Sequence, residues 1–176
     1  MTSLTIVANG ALVEAIKELA RSAELENVRS LSVYCDEPTP IAGLGSPLID
    51  SPWLGAVEHL DLRNMGLDDR DLATLARSER FLHLTSLRLD GNLFTAAGLA
   101  RLFAAPIDQL ATLSILCPGL ALTRELANRL TESSFFPQLR ELAIYDAGGA
   151  AIVRDYHATL IVRGVATSAS VVETRT

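Results

Sequence analysis

The sequence predicts an α/β solenoid, with a parallel sheet of about six or seven strands on one side and helices on the other. The first observation is a period: six segments that fit one template recur every 26 to 29 residues. They begin at Met1, Val28, Val57, Leu84, Leu110 and Leu139. The second observation is that the apolar spacing changes within each segment from alternating to helical. Such a fixed period is typical of stacked repeats, each of which buries its apolar face against its neighbours.

Each repeat opens with the pattern of a short strand. Positions 1, 4 and 6 are apolar in all six repeats, and this alternation places one face of the strand in the core. The inward pairs of the third, fourth and fifth repeats are Leu60 with Leu62, Leu87 with Leu89, and Leu113 with Ile115. Positions 3, 5 and 7 are therefore predicted to point to the opposite side of the sheet.

After position 9 the apolar spacing becomes helical. Asp68 and Thr95 both stand at position 12, where a polar side chain before an apolar run predicts a helix N-cap. Apolar pairs follow at positions 16 and 19, namely Ile16 with Leu19, Leu72 with Leu75, and Leu99 with Leu102. In the next repeat the pattern shifts by one or two residues, with Thr123 as the cap and Leu126 and Leu130 as the pair. One face of each helix is therefore predicted to pack on the sheet.

The second repeat departs from this pattern between Pro38 and Trp53. The segment contains four prolines and two glycines, which disfavour a regular helix. It is predicted to be extended or 3₁₀, with four apolar side chains packing on the helix side: Ile41, Leu44, Leu48 and Trp53.

The repeats are predicted to occupy residues 1–149, and residues 150–176 a C-terminal cap that breaks the period. Within the cap, ATLIVRGV predicts one strand, and SASVV is a candidate for a second. At the other end the strand pattern begins at Met1, so the first strand is predicted to be an edge. Either that edge self-associates or the natural protein continues upstream.

The template L-x-x-L-x-L-x-x-N-x-L resembles the leucine-rich repeat family, and is most similar to its long-repeat, ribonuclease-inhibitor-like class. Three repeats carry Asn or Asp at position 9 (Asn9, Asp36 and Asn92), and three depart from it (Met65, Pro118 and Ala147). The resemblance implies a right-handed horseshoe arc with the sheet on the concave side. It also implies that the position-9 side chain satisfies backbone groups at the turn, and that the concave face binds protein.

The two cysteines are predicted to be free thiols. Cys35 and Cys117 both occupy position 8, three repeats apart. Because neighbouring parallel strands lie ~4.8 Å apart, their Cα atoms would be separated by ~14 Å. A disulfide needs a separation below about 7 Å. Neither cysteine belongs to a CxxC pair, so a structural zinc site is not expected.

Composition disfavours several other functions. The net charge is −6, and the charges are interspersed without a basic stripe, so nucleic acid is not expected as a partner. The first residues lack the features of a signal peptide, and no apolar run approaches the ~18 residues of a spanning helix. A cytoplasmic location without membrane contact is therefore expected. Three scattered histidines form no metal set, and DAGGA at 146–150 lacks the P-loop lysine, so no metal or cofactor is expected.

The concave face is the candidate binding site. Its predicted members are Tyr34, His59, Asp61, Arg63, Arg88, Asp90, Leu116, Glu141 and Tyr145. The register places Asp61 beside Arg88 and Arg63 beside Asp90 on adjacent strands, and opposite charges in such positions attract each other. One interpretation is that these four charges only keep an exposed sheet soluble and in register. The other is that they form a polar centre, flanked by Tyr34, Leu116 and Tyr145, that binds a protein partner.

Catalysis is not expected on this face. His59 has Ser30 and Ser86 as lateral neighbours and Asp61 two residues along its strand, which together suggest a hydrolase triad. Residues two apart on a strand are ~6.6 Å apart, Asp61 already has Arg88 beside it, and no nucleophile elbow is present.

The predicted function is therefore a non-enzymatic protein-interaction module. Two alternatives remain: a regulatory or targeting repeat domain of a larger multidomain protein, and a self-assembling structural module that uses its N-terminal edge.

Overall fold

The computed structural model describes residues 2–8, 13–22, 25–35, 42–43, 45–146, 151–155 and 161–163. Within these residues the strands are β1 (Thr2–Ala8), β2 (Val28–Cys35), β3 (His59–Asp61), β4 (Ser86–Arg88), β5 (Thr112–Ile115), β6 (Ala121–Leu122), β7 (Glu141–Asp146), β8 (Ala151–Asp155) and β9 (Ile161–Arg163). They form one sheet in the order β1-β2-β3-β4-β5-β7-β8-β9, with β6 beside β7. From β1 to β7 all neighbours are parallel, which confirms the predicted parallel sheet.

The register agrees with the alignment of the repeats. Residues at position 3 pair across the sheet in the series Ser3, Ser30, His59, Ser86, Thr112 and Glu141. Residues at position 4 pair in the same way, and those of the four strands after β1 are buried: Leu31, Leu60, Leu87 and Leu113. A fully buried leucine contributes ~1.5–3 kcal/mol, so these residues fix the face that each strand turns to the core.

The helices connect successive strands: α1 (Val13–Arg21), α2 (Ser46–Ile49), α3 (Asp69–Arg77), α4 (Ala96–Phe103) and α5 (Arg124–Thr131). The predicted caps are present, since the side chains of Asp68, Thr95 and Thr123 accept hydrogen bonds from backbone N–H groups of α3, α4 and α5. The predicted helix pairs of α3, α4 and α5 are buried in the core, as is Ile16 of α1, while Leu19 is partly buried against it.

One carboxylate joins the start of α3 to the cap of α4. Asp69, at the start of α3, accepts hydrogen bonds from Thr95 N and Thr95 Oγ1, both at 2.7 Å. Burial alone would raise the pKa of Asp69, but these bonds and one from the Gly98 backbone together hold it below its ordinary value. The N-terminal ends of α3 and α4 are therefore linked by a charged acceptor.

The second repeat contains more helix than its prolines predict. Instead of a purely extended or 3₁₀ segment, it forms the four-residue α2 and then a 3₁₀ helix at Pro52–Ala56. Both helices have proline in their first turn, where the missing N–H costs nothing. Leu48 and Trp53 are buried as predicted, and Trp53 Nε1 donates to Leu19 O at 3.2 Å. The predicted packing of Ile41 and Leu44 falls outside the described residues.

The turn after β4 shows what the position-9 asparagine does. The Asn92 side chain is buried, accepts from Leu67 N at 3.1 Å, and donates to Leu62 O and Leu89 O at 2.8 and 2.9 Å. It therefore satisfies backbone groups of two repeats, as the resemblance implies. Asn9, Asp36 and Ala147 lie outside the described residues.

Two repeats form the corresponding turn without an amide side chain at position 9. Met65 is fully buried, and the preceding Asn64 adopts a left-handed φ of 55° and donates from Nδ2 to Cys35 O at 3.1 Å. After β5, Gly119 takes a φ of 83° beside Pro118, in agreement with the irregular turn expected there.

Both cysteines are free and buried. The Cys117 Sγ lies 3.5 Å from Leu89 O, to which it donates. Burial raises the pKa of the Cys117 thiol to about 11, so it stays protonated at neutral pH.

The C-terminal part of the sheet changes direction. β8 runs antiparallel to β7, and β9 runs antiparallel to β8. β9 lies within the segment ATLIVRGV, where a strand is predicted, whereas the pattern predicts none at β8. An antiparallel neighbour needs only a short connection, unlike the parallel strands before it, so the period gives no indication of β8. The candidate strand at SASVV lies outside the described residues.

Candidate binding face of the sheet

The side of the sheet opposite the core carries polar side chains in three rows. We use the name open face for the side chains at positions 3, 5 and 7 of the four repeats that contain β2, β3, β4 and β5. In the last three of these repeats, position 7 lies just beyond the end of the strand. The residues of the open face are Ser30, Ser32, Tyr34, His59, Asp61, Arg63, Ser86, Arg88, Asp90, Thr112, Ser114 and Leu116. The register of β2 to β5 sets positions 3 and 5, and backbone hydrogen bonds from Cys35 N to Arg63 O, Asn64 N to Asp90 O and Gly91 N to Leu116 O extend it to position 7.

The first charged group of the open face is centred on Asp61. The Arg63 Nε donates to Asp61 Oδ1 and Oδ2 at 2.8 and 3.0 Å, and Ser32 Oγ donates to Oδ2 at 3.2 Å. The Arg63 guanidinium carbon lies 4.8 Å from the centre of the Tyr34 ring, a cation–π contact. The hydrogen bond to Asp61 raises the pKa of Arg63. Arg63 is therefore held in place by a carboxylate and by an aromatic ring on the neighbouring strand.

The second charged group is centred on Asp90. Its Oδ1 accepts from Ser114 Oγ at 2.7 Å and from Leu116 N at 2.8 Å. Its Oδ2 lies 3.5 Å from the Arg88 Nη2. Asp90 thus links β4 to the next strand of the sheet, and Arg88 is the more exposed partner, since 46% of its side chain is accessible against 15% for Asp90.

The charge pairing differs from the one predicted across strands. Asp61 and Arg88 are in register, as expected, but the ion pairs of the open face form along the chain, Asp61 with Arg63 and Arg88 with Asp90. Each arginine thus pairs with an acid two residues away. The arginine side chain is long enough to span the ~6.6 Å between alternate residues, and the carboxylates of Asp61 and Asp90 gain additional donors from the strands beside them.

The histidine and the aspartate of the suggested triad contact other groups. His59 Nδ1 lies 3.4 Å from Thr85 Oγ1, and Asp61 is bonded to Ser32 and Arg63. Ser30 and Ser86 flank His59 in the register, as the sequence predicts. Every buried side-chain N or O atom of the described residues has a hydrogen-bond partner, so no orphaned group in this part of the chain points to a ligand.

The remaining predicted members lie toward the C-terminal side. Leu116 is partly exposed, and Glu141 is exposed and in register with Thr112. Tyr145 belongs to β7, where it pairs with Ala121 and Ala151, and its side chain lies outside the described residues. The structure therefore brings together Tyr34, the four charges and Leu116 on adjacent strands.

Ser32 and Ser114 contribute to this face although sequence reasoning did not select them. Both occupy position 5, and each donates to a carboxylate of the open face. The signal was present in the alignment, where Ser32 and Ser114 flank the charged residues Asp61 and Arg88 in the same row.

The helix side carries two shallow hollows of ≈ 480 and ≈ 570 Å³. The first is lined by residues of α3 and the turn after it, including Arg77 and Arg80, together with Asp50. Arg80 Nη1 already donates to Asp50 O at 2.6 Å. In the described residues, no three His, Cys, Asp or Glu side chains form a group suited to a metal ion. A helix long and apolar enough to cross a membrane is likewise absent from that part of the chain.

Comparison with solved structures identifies the type of fold. The chain is similar to the tropomodulin C-terminal domain of Caenorhabditis elegans, with a TM-score of 0.54 and 18% identity, over 77% of this chain and 83% of that one. No protein-family model matches the chain, and a search of curated proteins finds no match. At this identity the likeness shows the fold alone: an α/β fold of the leucine-rich repeat type with a parallel sheet.

Proposed function

We propose that this chain is a non-enzymatic protein-interaction module that binds a protein partner through the open face. The observation that carries the proposal is the centre of that face, where two arginines, each beside an acidic residue, lie between Tyr34 and Leu116. Aromatic residues and arginine are the side chains most enriched at energetically important positions of protein interfaces. Arg63, which is already held by Asp61 and Tyr34, loses less conformational entropy when it binds.

The environment of the polar groups favours binding over catalysis. Asp61 and Asp90 each accept hydrogen bonds from a serine and pair with an arginine, so neither is available as a general base. The sheet face is also open to water, and catalytic groups act best in a water-excluded pocket.

The resemblance extends the proposal in two ways. The 26- to 29-residue period and the alternation of strand and helix favour the long-repeat, ribonuclease-inhibitor-like class. In such a solenoid the open face would be the concave side of the arc and would present side chains at fixed spacing over a wide surface. A cytoplasmic location is part of the same proposal.

An affinity capture experiment with matched variants tests the proposed surface. Tyr34→Ala with Leu116→Ser removes the apolar flanks of the open face. The control, Leu82→Ser with Leu93→Ser, removes two exposed leucines elsewhere, which are 36% and 47% accessible. The proposal requires a partner that the wild type and the control retain and that the open-face variant loses, at equal melting temperature. A partner retained by all three proteins would contradict it.

Self-association through β1 is a second candidate function. β1 carries the uncharged sequence TSLTIVA, exposes Val7, and among the described residues pairs with β2 alone. Uncharged edge strands are templates for pairing with another chain. Light scattering would test this: Thr5→Lys should convert a dimer into a monomer, and a wild-type monomer at high concentration would exclude the idea.

A further inference from the structure

The apolar core is incompletely covered at the end of the sheet that β1 forms. Leu31 and Val33 of β2 are at most 1% exposed. Their partners in register on β1, Leu4 and Ile6, are only partly buried against the core. Val7, on the other side of β1, is 46% exposed. Because β1 pairs with β2 alone among the described residues, this end presents a backbone edge together with apolar side chains.

Helix α1 has an uncovered face at the same end. Position 15 of the fourth repeat is the buried Gly98 of α4, where a Cβ atom would lie 3.1 Å from the Asp69 Cα at the start of α3. Position 15 therefore faces the helix of the preceding repeat at close range. In the first repeat this position is Ala15, which is exposed. Leu19, at position 19, is only partly buried, whereas the equivalent Leu102 is fully buried.

The basic residues of α1 lie away from this uncovered face. Helix residues two positions apart point ~200° apart, so Lys17 lies on the side opposite Ala15 and Leu19. Lys17 and Arg21 line a hollow with residues of the second repeat, which places their side of α1 toward that repeat. Each of these bases also pairs with an acid of the same helix, at 2.6 and 3.3 Å. Ala15 and Leu19 therefore form an apolar contact surface beside the β1 edge.

We propose that the β1 edge, together with Ala15 and Leu19, binds a second copy of this chain by antiparallel β1–β1 pairing centred on Thr5. This inference rests on the second candidate function above and adds the geometry of the complex to it. β1 has seven residues with Thr5 in the middle, so complete antiparallel overlap pairs Thr5 with Thr5 of the other copy. Leu4 of one copy then lies opposite Ile6 of the other, and both remain on the core side.

Charge favours a second copy as the occupant. A two-fold axis brings a surface against the same surface of the other copy, so any charged residue near the axis would meet its own charge. Each chain has a net charge of −6, yet β1 contains no charged residue. Two copies can therefore meet at this edge without the repulsion that their acidic surfaces would cause elsewhere.

The same axis also matches the helices. α1 leads from the end of β1 back to the start of β2, so an axis through the middle of β1 passes close to the middle of α1. The small Ala15 of one copy then lies opposite the larger Leu19 of the other. Both copies contribute strands to one continuous sheet, and because the axis is perpendicular to the sheet, their open faces lie on the same side.

Single cysteines on β1 test the pairing. Paired residues of antiparallel strands have Cα atoms ~4.5–5.5 Å apart, within reach of a disulfide, so Thr5→Cys should form a covalent dimer on air oxidation in non-reducing electrophoresis. Ser3→Cys is the matched control, because Ser3 of the two copies would lie ~13 Å apart along the strands. A mixture of Ser3→Cys and Val7→Cys should crosslink, since these residues pair across the axis. The native cysteines are buried and should not take part.

A charge on α1 tests the helix contact. Ala15→Lys places an unpaired charge between apolar helices and should raise the dimer dissociation constant at least about tenfold in sedimentation equilibrium. Asn128→Lys adds the same charge on the exposed surface of α5 and should leave the dissociation constant unchanged.

The inference and the proposed functions fail separately. A wild type that stays monomeric at high concentration overturns both the inference and self-association, whereas binding through the open face is judged by affinity capture alone. A dimer that Thr5→Cys does not crosslink, or that Ser3→Cys alone crosslinks equally well, would retain self-association and overturn the antiparallel pairing. A dimer that is equally stable with Ala15→Lys would overturn the part of the inference that involves α1.

Discussion

The two sides of the parallel sheet are built on different principles, although the same short strands supply both. On the core side, leucines from successive repeats stack in register, and Leu60, Leu87 and Leu113 are at most 1% exposed. On the open face, each charged side chain has a different set of partners, and two repeats use the same spacing of acid and arginine in opposite order. The core side therefore presents the same kind of residue in each repeat, whereas the open face presents a different set of side chains and contacts in each repeat.

This difference indicates where stability and specificity reside. Apolar burial is non-directional and is proportional to area, so each repeat contributes a similar amount to the core. Polar groups at a half-exposed surface contribute little to folding, because water competes for their hydrogen bonds. Substitutions on the core side should therefore change the free energy of unfolding, and substitutions on the open face should change binding.

The largest effect is expected for Leu87→Ala, at the centre of the core side. Leu87 is fully buried, and loss of its side chain should lower the free energy of unfolding by about 3 kcal/mol through lost burial and a residual cavity. Ser86→Ala, one residue earlier and facing the other way, should change it by less than about 0.5 kcal/mol. Urea denaturation of both variants measures the difference. Equal losses would refute the contrast between the two sides.

A somewhat smaller effect is expected for Asn92→Ala at the end of β4. The change removes three hydrogen bonds and leaves buried backbone groups of Leu62, Leu67 and Leu89 without that partner. We expect a loss of about 2 kcal/mol in the free energy of unfolding. Asn128→Ala on the exposed surface of α5 serves as the control, with an expected change near zero. If the two variants were equally stable, the turn would not depend on the amide.

The core side could be predicted from sequence because its information is periodic. The apolar positions 1, 4 and 6 recur in every repeat, and shifting a strand by one residue would turn its apolar set out of the core. The rows of paired residues and the caps Asp68 and Thr95 follow from the same alignment, and the cap Thr123 follows from its place before an apolar helical pair. The turn at Met65 could not be predicted, because it depends on the left-handed backbone conformation of Asn64, which the repeat template does not specify.

The open face could be predicted only to the level of neighbours. Alignment of the repeats placed Asp61 beside Arg88, and the register confirms it. It did not indicate that Arg63 would turn back to Asp61, because side-chain rotamers depend on competing partners such as Ser32 and Tyr34. The antiparallel β8 was missed for a related reason, since the pattern that identifies the repeats ends before it.

Asp69→Asn should have a moderate effect that depends on pH. The folded pKa of Asp69 is lowered, so its contribution is present above the ordinary aspartate value and is lost as pH falls below about 4. At neutral pH we expect a loss of about 1 kcal/mol, at the lower end of the range for charged acceptors because the site is partly exposed.

Thermal unfolding as a function of pH provides the test. The difference in melting temperature between the wild type and Asp69→Asn should narrow as pH decreases through about 4 toward 2. Thr95→Val, which removes the Oγ1 donor and the N-cap of α4, should reproduce part of this loss at neutral pH. A difference that stays constant down to pH ~2 would mean that the Asp69 charge does not link the two helices.

The smallest effects on stability are expected for the two arginines of the open face, and they should differ. Arg63→Gln removes a hydrogen bond to Asp61 and the contact with Tyr34, and should cost about 0.5 kcal/mol. Arg88→Gln removes a single 3.5 Å ion pair at a largely exposed side chain and should cost almost nothing. Both should weaken capture of a partner through the open face, because arginine is enriched at energetically important interface positions.

Urea denaturation and affinity capture of the same variants separate the contribution to folding from the contribution to binding. Arg88 is the sharper probe of function, because its substitution should leave the free energy of unfolding unchanged while weakening capture of the partner. If Arg88→Gln lowered the free energy of unfolding by more than about 1 kcal/mol, the open face would contribute to folding as the core side does. The sheet could then not be divided into a core side that stabilises the fold and an open face that binds a partner, because Arg88 is the residue for which this division predicts the smallest loss of stability.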